Sequence, residues 1–248
     1  MAVLQGHYDS KCLRQDTQFV LIRPFEGRER AEERYLILLH GLMDNSTAWL
    51  YKTSLLRLAD AYGVTVFCPE GRRGFYCDMA YGADYLSMVI REIPEVMRKL
   101  LGCELNGDNT VLAGNSMGGY GALKATLNHR SFYRKVMAFS PVISPLEALN
   151  VIPDEYLIPG EEKAAAGERG MLRDEDDLYA LARRIGKPGY QITVTCGKDD
   201  FLIGQNREFH TYLKTLGLEH TYREEEGVHG WDYWETHLPE LFQSYFSV

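Results

Sequence analysis

Six short apolar runs, Phe19–Ile22, Tyr35–Leu39, Val64–Cys68, Thr110–Ala113, Val136–Phe139 and Ile192–Cys196, are almost free of polar alternation. A strand with one wetted face alternates apolar and polar residues, whereas a strand covered on both faces need not, so these runs imply a buried, largely parallel sheet. Helical spacing fills the gaps between them. Tyr85, Val89, Ile93, Val96 and Leu100 recur at steps of four, four, three and four, and Phe209, Tyr212, Leu213 and Leu216 form a second stripe. Strands alternating with helices predict an α/β fold with a central, mostly parallel sheet and helices on both faces. The charged tract Glu26–Arg34, lying between two apolar strands, reads as a hairpin turn on an antiparallel N-terminal edge. Between residues 141 and 189 the pattern weakens: five prolines and a charged run near Glu161–Arg169 mark an insertion. Insertions at the carboxyl ends of parallel strands shape ligand entry, the alternative here being a solvated connection. The positions that follow span nearly the whole chain, so residues 1–248 are expected to form one domain.

Composition removes several roles. With 27 basic against 35 acidic side chains the net charge is −8, and no block of lysine or arginine offers the positive footprint that phosphate neutralisation needs. Neither nucleic acid nor an anionic membrane is expected as a partner. No apolar run approaches the roughly 18–20 residues of a spanning helix, and Met1–Ser10 has no basic-then-apolar leader pattern, so a cytoplasmic protein is expected. The five cysteines are odd in number and lack CxxC spacing, which argues against a disulfide framework and a zinc site alike.

The chemistry-bearing residues begin where the strand Thr110–Ala113 runs into Gly114-Asn115-Ser116-Met117-Gly118 and then a helical stretch. A nucleophilic serine on a strand-to-helix turn sits in a strained backbone conformation, and the flanking glycines remove side chains that would collide with neighbouring elements. A serine hydroxyl needs an adjacent base. Of seven histidines, His229 alone lies in a glycine-bounded loop, Gly227-Val228-His229-Gly230-Trp231, between a strand-like run at His220–Arg223 and a terminal helix from Asp232 to Tyr245. A carboxylate after the preceding strand should hold its tautomer. Ile192–Cys196 ends in Gly197-Lys198-Asp199-Asp200, and spacing does not separate the two aspartates. For the oxyanion, the backbone N–H groups of Met117 and Leu42 form the natural pair, Leu42 following the early strand through His40-Gly41. His40 is then structural.

The chain order Ser116, Asp199 or Asp200, His229 is that of α/β-hydrolases. His40-Gly41-Leu42 with Asn45 and Trp49, Gly74-Phe75-Tyr76 through Tyr81-Gly82, the block from Gly114 through Ser116-Met117-Gly118-Gly119-Tyr120-Gly121, Asp200-Phe201-Leu202 and His229-Gly230-Trp231 together resemble the esterase D family, and its tributyrin esterase branch in particular. The likeness runs from the first strand almost to the carboxyl terminus. It implies Ser116 as nucleophile, Asp200 as the acid because it precedes Phe201-Leu202, His229 as base, and Leu42 and Met117 as oxyanion donors. Trp49, Tyr76 and Trp231 become the candidate substrate-binding residues. The implied activity is a serine carboxylesterase acting on short acyl esters, acetyl or butyryl, of small alcohols or sugars, with no metal or organic cofactor. Feruloyl esterase and S-formylglutathione hydrolase chemistry are the alternatives, and a binding module with a vestigial triad is the non-enzyme one. The small-molecule ester is the expected partner, and a homo-oligomer is open. The chain departs from the pattern at Asn115, where relatives often carry an apolar residue, and at Arg72-Arg73, which either orient an anionic or hydroxylated substrate or are ordinary surface charge.

Overall fold

In a computed structural model of the chain, residues 1–25, 33–129, 132–166, 172–185 and 189–247 are described. Among the described residues eight strands form one sheet: β1 (Ala2–Ser10), β2 (Gln15–Arg23), β3 (Tyr35–Leu39), β4 (Thr65–Pro69), β5 (Thr110–Asn115), β6 (Lys135–Phe139), β7 (Gln191–Gly197) and β8 (Thr221–Glu225). Their spatial order is β1-β2-β4-β3-β5-β6-β7-β8, with β1/β2 and β2/β4 antiparallel and every later pair parallel. This is the mostly parallel sheet with an antiparallel N-terminal edge that the apolar runs predict.

The helices are α1 (Ala48–Lys52), α2 (Leu55–Tyr62), α3 (Tyr85–Ser87), α4 (Ile93–Leu101), α5 (Met117–Asn128), α6 (Pro145–Ala148), α7 (Glu161–Ala166), α8 (Leu178–Arg184), α9 (Ile203–Thr215) and α10 (Trp231–Phe246). Alternate residues of a strand point to opposite faces, and here both faces are covered. Leu36, Leu38, Val111 and Ala113 pack with α2 and α10, whereas Ile37, Leu39, Leu112 and Ala138 pack with α3, α4, α5 and α9. The central strands therefore read as continuous apolar runs. Among the described residues no helix is long and apolar enough to cross a membrane.

Three expectations need correction. The hairpin on the antiparallel edge turns at residues 11–14, joining β1 to β2, and not at Glu26–Arg34, because β2 takes β4 as its other neighbour and β3 lies beyond β4. Of the expected tract, residues 26–32 lie outside the described residues. Second, β1 is a strand that the apolar runs do not reveal, since its side chains are mostly exposed or half-buried at the sheet edge. Third, Leu100 is 52% exposed although it continues the stripe from Tyr85. A π turn at Met88–Glu92 joins α3 to α4, and the buried line then runs through Ile93 and Met97, one residue past the expected Val96. Between β6 and β7 the expected insertion carries α6, a 3₁₀ turn at Asp154–Tyr156, α7 and α8; residues 167–171 and 186–188, with Pro188, are outside the described residues.

Candidate active site

β5 ends at Asn115, and Ser116 follows at φ 53°, ψ −119°, in the strained turn before α5. The surrounding glycines explain how that turn fits. A Cβ on Gly114 would lie 2.5 Å from the Gly118 carbonyl, and one on Gly118 would lie 2.4 Å from the Leu39 carbonyl oxygen, so neither position can carry a side chain. The Ser116 N–H donates to Phe139 O at 2.9 Å, which ties the turn to the neighbouring strand.

His229 reaches Ser116 from the loop between β8 and α10, with Nε2 3.0 Å from Oγ. Its Nδ1 lies 2.9 and 3.0 Å from the two carboxylate oxygens of Asp200. A carboxylate only accepts at neutral pH, so Nδ1 carries the ring proton and Nε2 is free to accept from the serine hydroxyl. Phe201 and Trp234 hold the ring, at centroid distances of 4.3 and 5.1 Å. The turn after β7 separates the two aspartates. Asp200 is buried and accepts the Leu202 N–H at 2.8 Å, while Asp199 uses its own N–H to reach Gly227 O at 3.0 Å and leaves its side chain exposed.

These groups open into a cavity of about 260 Å³, with Leu42 and Met117 beside Ser116 in its lining. Met117 is the first residue of α5, so helix geometry leaves its N–H without an intrahelical acceptor, and the helix directs its positive end at the same point. His40 is buried, with Nδ1 2.8 Å from Gly41 O and Nε2 2.8 Å from Gly71 N; it braces two loops at the rim.

Of the three aromatic candidates, Trp231 lines the cavity and the other two do not. Trp49 is fully buried, donates Nε1–H to Leu39 O at 3.0 Å and supports Trp231 edge-on at 4.9 Å. Tyr76 is fully buried as well, its hydroxyl accepting from His40 N at 3.1 Å, and its neighbour Phe75 faces the cavity instead. The remaining apolar wall comprises Val142, Ile152 and Tyr156 from the insertion, with Phe201 and Trp234. Sequence reasoning missed these. Trp234 follows Trp231 by three residues on one helix face, a signal that was present; Ile152 and Tyr156 had none beyond membership of the insertion. The two arginines also part. Arg73 binds Glu161 through Nη2 at 2.8 Å and Tyr156 O at 2.7 Å, fastening the insertion to the rim, whereas Arg72 is exposed.

All five cysteines are free, and burial pushes the Cys12 thiol up to about 11 and Cys68 up to about 12, with Cys77, Cys103 and Cys196 also raised by burial first. Among the described residues one group has side chains close enough to share a metal ion, Glu225, His237 and Glu240, and it lies outside the cavity lining.

The family model described as "Putative esterase" matches residues 10–245. The chain belongs to this esterase family. The esterase is similar to the acetyl esterase of Caldicellulosiruptor saccharolyticus, at 29% identity over 98% of this chain and 97% of the relative. It is also similar to the S-formylglutathione hydrolase of Rattus norvegicus, at 25% identity over 72% of this chain and 68% of that protein. Among solved structures, the Staphylococcus aureus serine hydrolase FphF superposes with a TM-score of 0.87 at 24% identity, covering 100% of this chain and 99% of that one. The α/β-hydrolase fold and the esterase D likeness are therefore borne out, and the esterase is a carboxylic ester hydrolase.

Proposed function

We propose that the esterase cleaves short acyl esters, acetyl or butyryl, of small alcohols or sugars by acyl-enzyme chemistry. One observation carries this reading: the hydrogen-bonded series Ser116–His229–Asp200 lies at a small, mainly apolar cavity. Ser116 Oγ attacks the ester carbonyl while His229 Nε2 takes its proton. The carbonyl oxygen, now negative, is received by the N–H groups of Leu42 and Met117. Asp200 stabilises the imidazolium, which then protonates the departing alkoxide. Water, activated by His229 in turn, releases the acid and restores Ser116. Phe75, Val142, Ile152 and Trp231 enclose the acyl group, so the 141–189 insertion takes part in acyl selection within one catalytic domain. The five free thiols, four of them buried and Cys12 half-buried, fit a reducing compartment such as the cytoplasm.

Ser116→Ala tests the chemistry: kcat on p-nitrophenyl acetate should fall ~10⁴-fold or more, and persistent hydrolysis would refute it. A panel of acetyl, butyryl and longer p-nitrophenyl esters, tributyrin, methyl ferulate and S-formylglutathione tests the substrate class. A kcat/KM highest on methyl ferulate or S-formylglutathione would favour the second reading, which the ferulic acid esterase neighbour (TM-score 0.82) and the S-formylglutathione hydrolase relatives keep in view.

A further inference from the structure

Met43 lies between Leu42 and Asp44 on the loop after β3, where it lines the catalytic cavity. It is the most exposed sulfur-containing residue among the described ones, at 61% against 40% for Met1. Met79 is half-buried, and Met88, Met97, Met117 and Met137 are buried. The half-buried Cys12 is held as the less reactive thiol, burial pushing it up to about 11. A thioether has no proton to lose, so its reaction with an oxidant depends on whether the oxidant can reach it. Here it can.

Arg73 stands beside this sulfur with one nitrogen unspent. Its Nε–H donates to Glu161 Oε1 at 2.5 Å, and Nη2 donates to Glu161 Oε2 at 2.8 Å and Tyr156 O at 2.7 Å. Among the described residues Nη1 reaches only Met43 Sδ, at 3.5 Å. A thioether sulfur is a weak acceptor, so the guanidinium that fastens the insertion to the rim spends its last donors on almost nothing.

We propose that Met43 is a site of reversible oxidation by hydroperoxides, and that its sulfoxide accepts from Arg73 Nη1 and bridges the mouth of the catalytic cavity. The sulfur lone pair attacks one peroxide oxygen, an S–O bond forms as the O–O bond breaks, and the departing oxygen leaves as water or an alcohol with the peroxide's proton. Sulfur loses two electrons and the peroxide gains them; a dithiol working through methionine sulfoxide reductase returns them. The new oxygen is polar and a far better acceptor than sulfur. It ties the loop after β3 to the insertion through Arg73 and sets a polar group at the entrance of a mainly apolar cavity, which hinders a butyryl chain more than an acetyl one. Only the kinetic part of this rests on the esterase reading of Ser116.

The test treats the wild type, Met43→Leu and Arg73→Ala with hydrogen peroxide, quenches with catalase, and compares each protein with its own untreated sample by peptide mass mapping and by kcat/KM on p-nitrophenyl butyrate and acetate. In the wild type the Met43 peptide should gain the mass of one oxygen before the peptides of the buried methionines do. Its kcat/KM on the butyrate should fall about tenfold, the worth of a hydrogen bond to a charged group, with a smaller fall on the acetate. Methionine sulfoxide reductases of both epimer specificities with dithiothreitol should restore it. Met43→Leu should keep its untreated value after peroxide, and in Arg73→Ala Met43 should still oxidise while the loss on the butyrate shrinks. Buried methionines oxidised ahead of Met43, a fully oxidised Met43 with kcat/KM changed by less than about twofold, or the same loss in Met43→Leu would overturn the proposal. An undiminished loss in Arg73→Ala would overturn the bond to Arg73. Peptide mapping does not depend on the chemistry at Ser116, which fails separately if Ser116→Ala keeps its activity on p-nitrophenyl acetate.

Discussion

Asp199 and Asp200 are adjacent in sequence, and their replacement by asparagine should have opposite consequences. The Asp200 side chain is completely buried, both of its oxygens lie within 3.0 Å of His229 Nδ1, and Oδ1 also accepts the Leu202 N–H at 2.8 Å. An asparagine there has a single acceptor oxygen. If that oxygen stays with Leu202 N–H, the amide NH₂ faces Nδ1 and forces the ring proton onto Nε2, the nitrogen that must accept from Ser116. The charge that would stabilise the imidazolium disappears at the same time. Loss of both functions in a hydrolase of this type lowers kcat ~10⁴-fold, equivalent to about 5.5 kcal/mol of activation free energy. Asp199 is exposed, and its structural contribution is the backbone N–H bonded to Gly227 O at 3.0 Å, which asparagine preserves. Its replacement should change kcat less than about twofold. The assay is initial-rate hydrolysis of p-nitrophenyl acetate by the two purified variants, with thermal unfolding recorded to exclude misfolding. Equal losses, or a larger loss at position 199, would refute the assignment.

Other consequences concern the framework around the site. Gly118→Ala places a Cβ 2.4 Å from Leu39 O and 2.7 Å from His40 O, both backbone atoms; a destabilisation of about 3 kcal/mol in urea unfolding is expected. Lys124, buried, donates to Asp176 at 2.9 Å, so Lys124→Met breaks a buried pair and should cost about 3–5 kcal/mol. Burial alone would raise the Asp176 carboxyl, but Lys124 and Arg173 outweigh it and hold the group below its ordinary value. Its stabilising contribution is then complete above about pH 3.9 and lost as pH falls through the lower folded value, and Lys124→Met should flatten that acid limb of the stability curve. Arg73→Ala frees Tyr156 and Glu161 from the rim; KM on p-nitrophenyl butyrate should rise about threefold to tenfold with a smaller change in kcat.

What was legible in the sequence follows from the range over which each feature is determined. Tyr35–Leu39 coincides with β3 because both of its faces meet apolar cores, a condition written into five consecutive residues. Ser116 was legible for a similar reason: the strand, the two glycines and the helix that strain its backbone are contiguous. The choice between Asp199 and Asp200 is not local. It depends on Gly227, a residue beyond β8 whose carbonyl captures the Asp199 N–H and closes in on Gly197, where a Cβ would lie 2.3 Å from that oxygen. Trp49 and Tyr76 failed as cavity residues on the same ground. Phe75 and Tyr76 are neighbours, both at positive φ, and the turn that sends Phe75 into the cavity sends Tyr76 to the backbone of His40. The arginine pair behaves alike, since Arg73 meets Glu161, a residue of the insertion, while Arg72 meets no side-chain partner among the described residues. In this fold residue type announces the proposed reacting groups, whose chemistry admits few substitutes, whereas the cavity wall is drawn from positions that differ from core positions only by the direction of a turn.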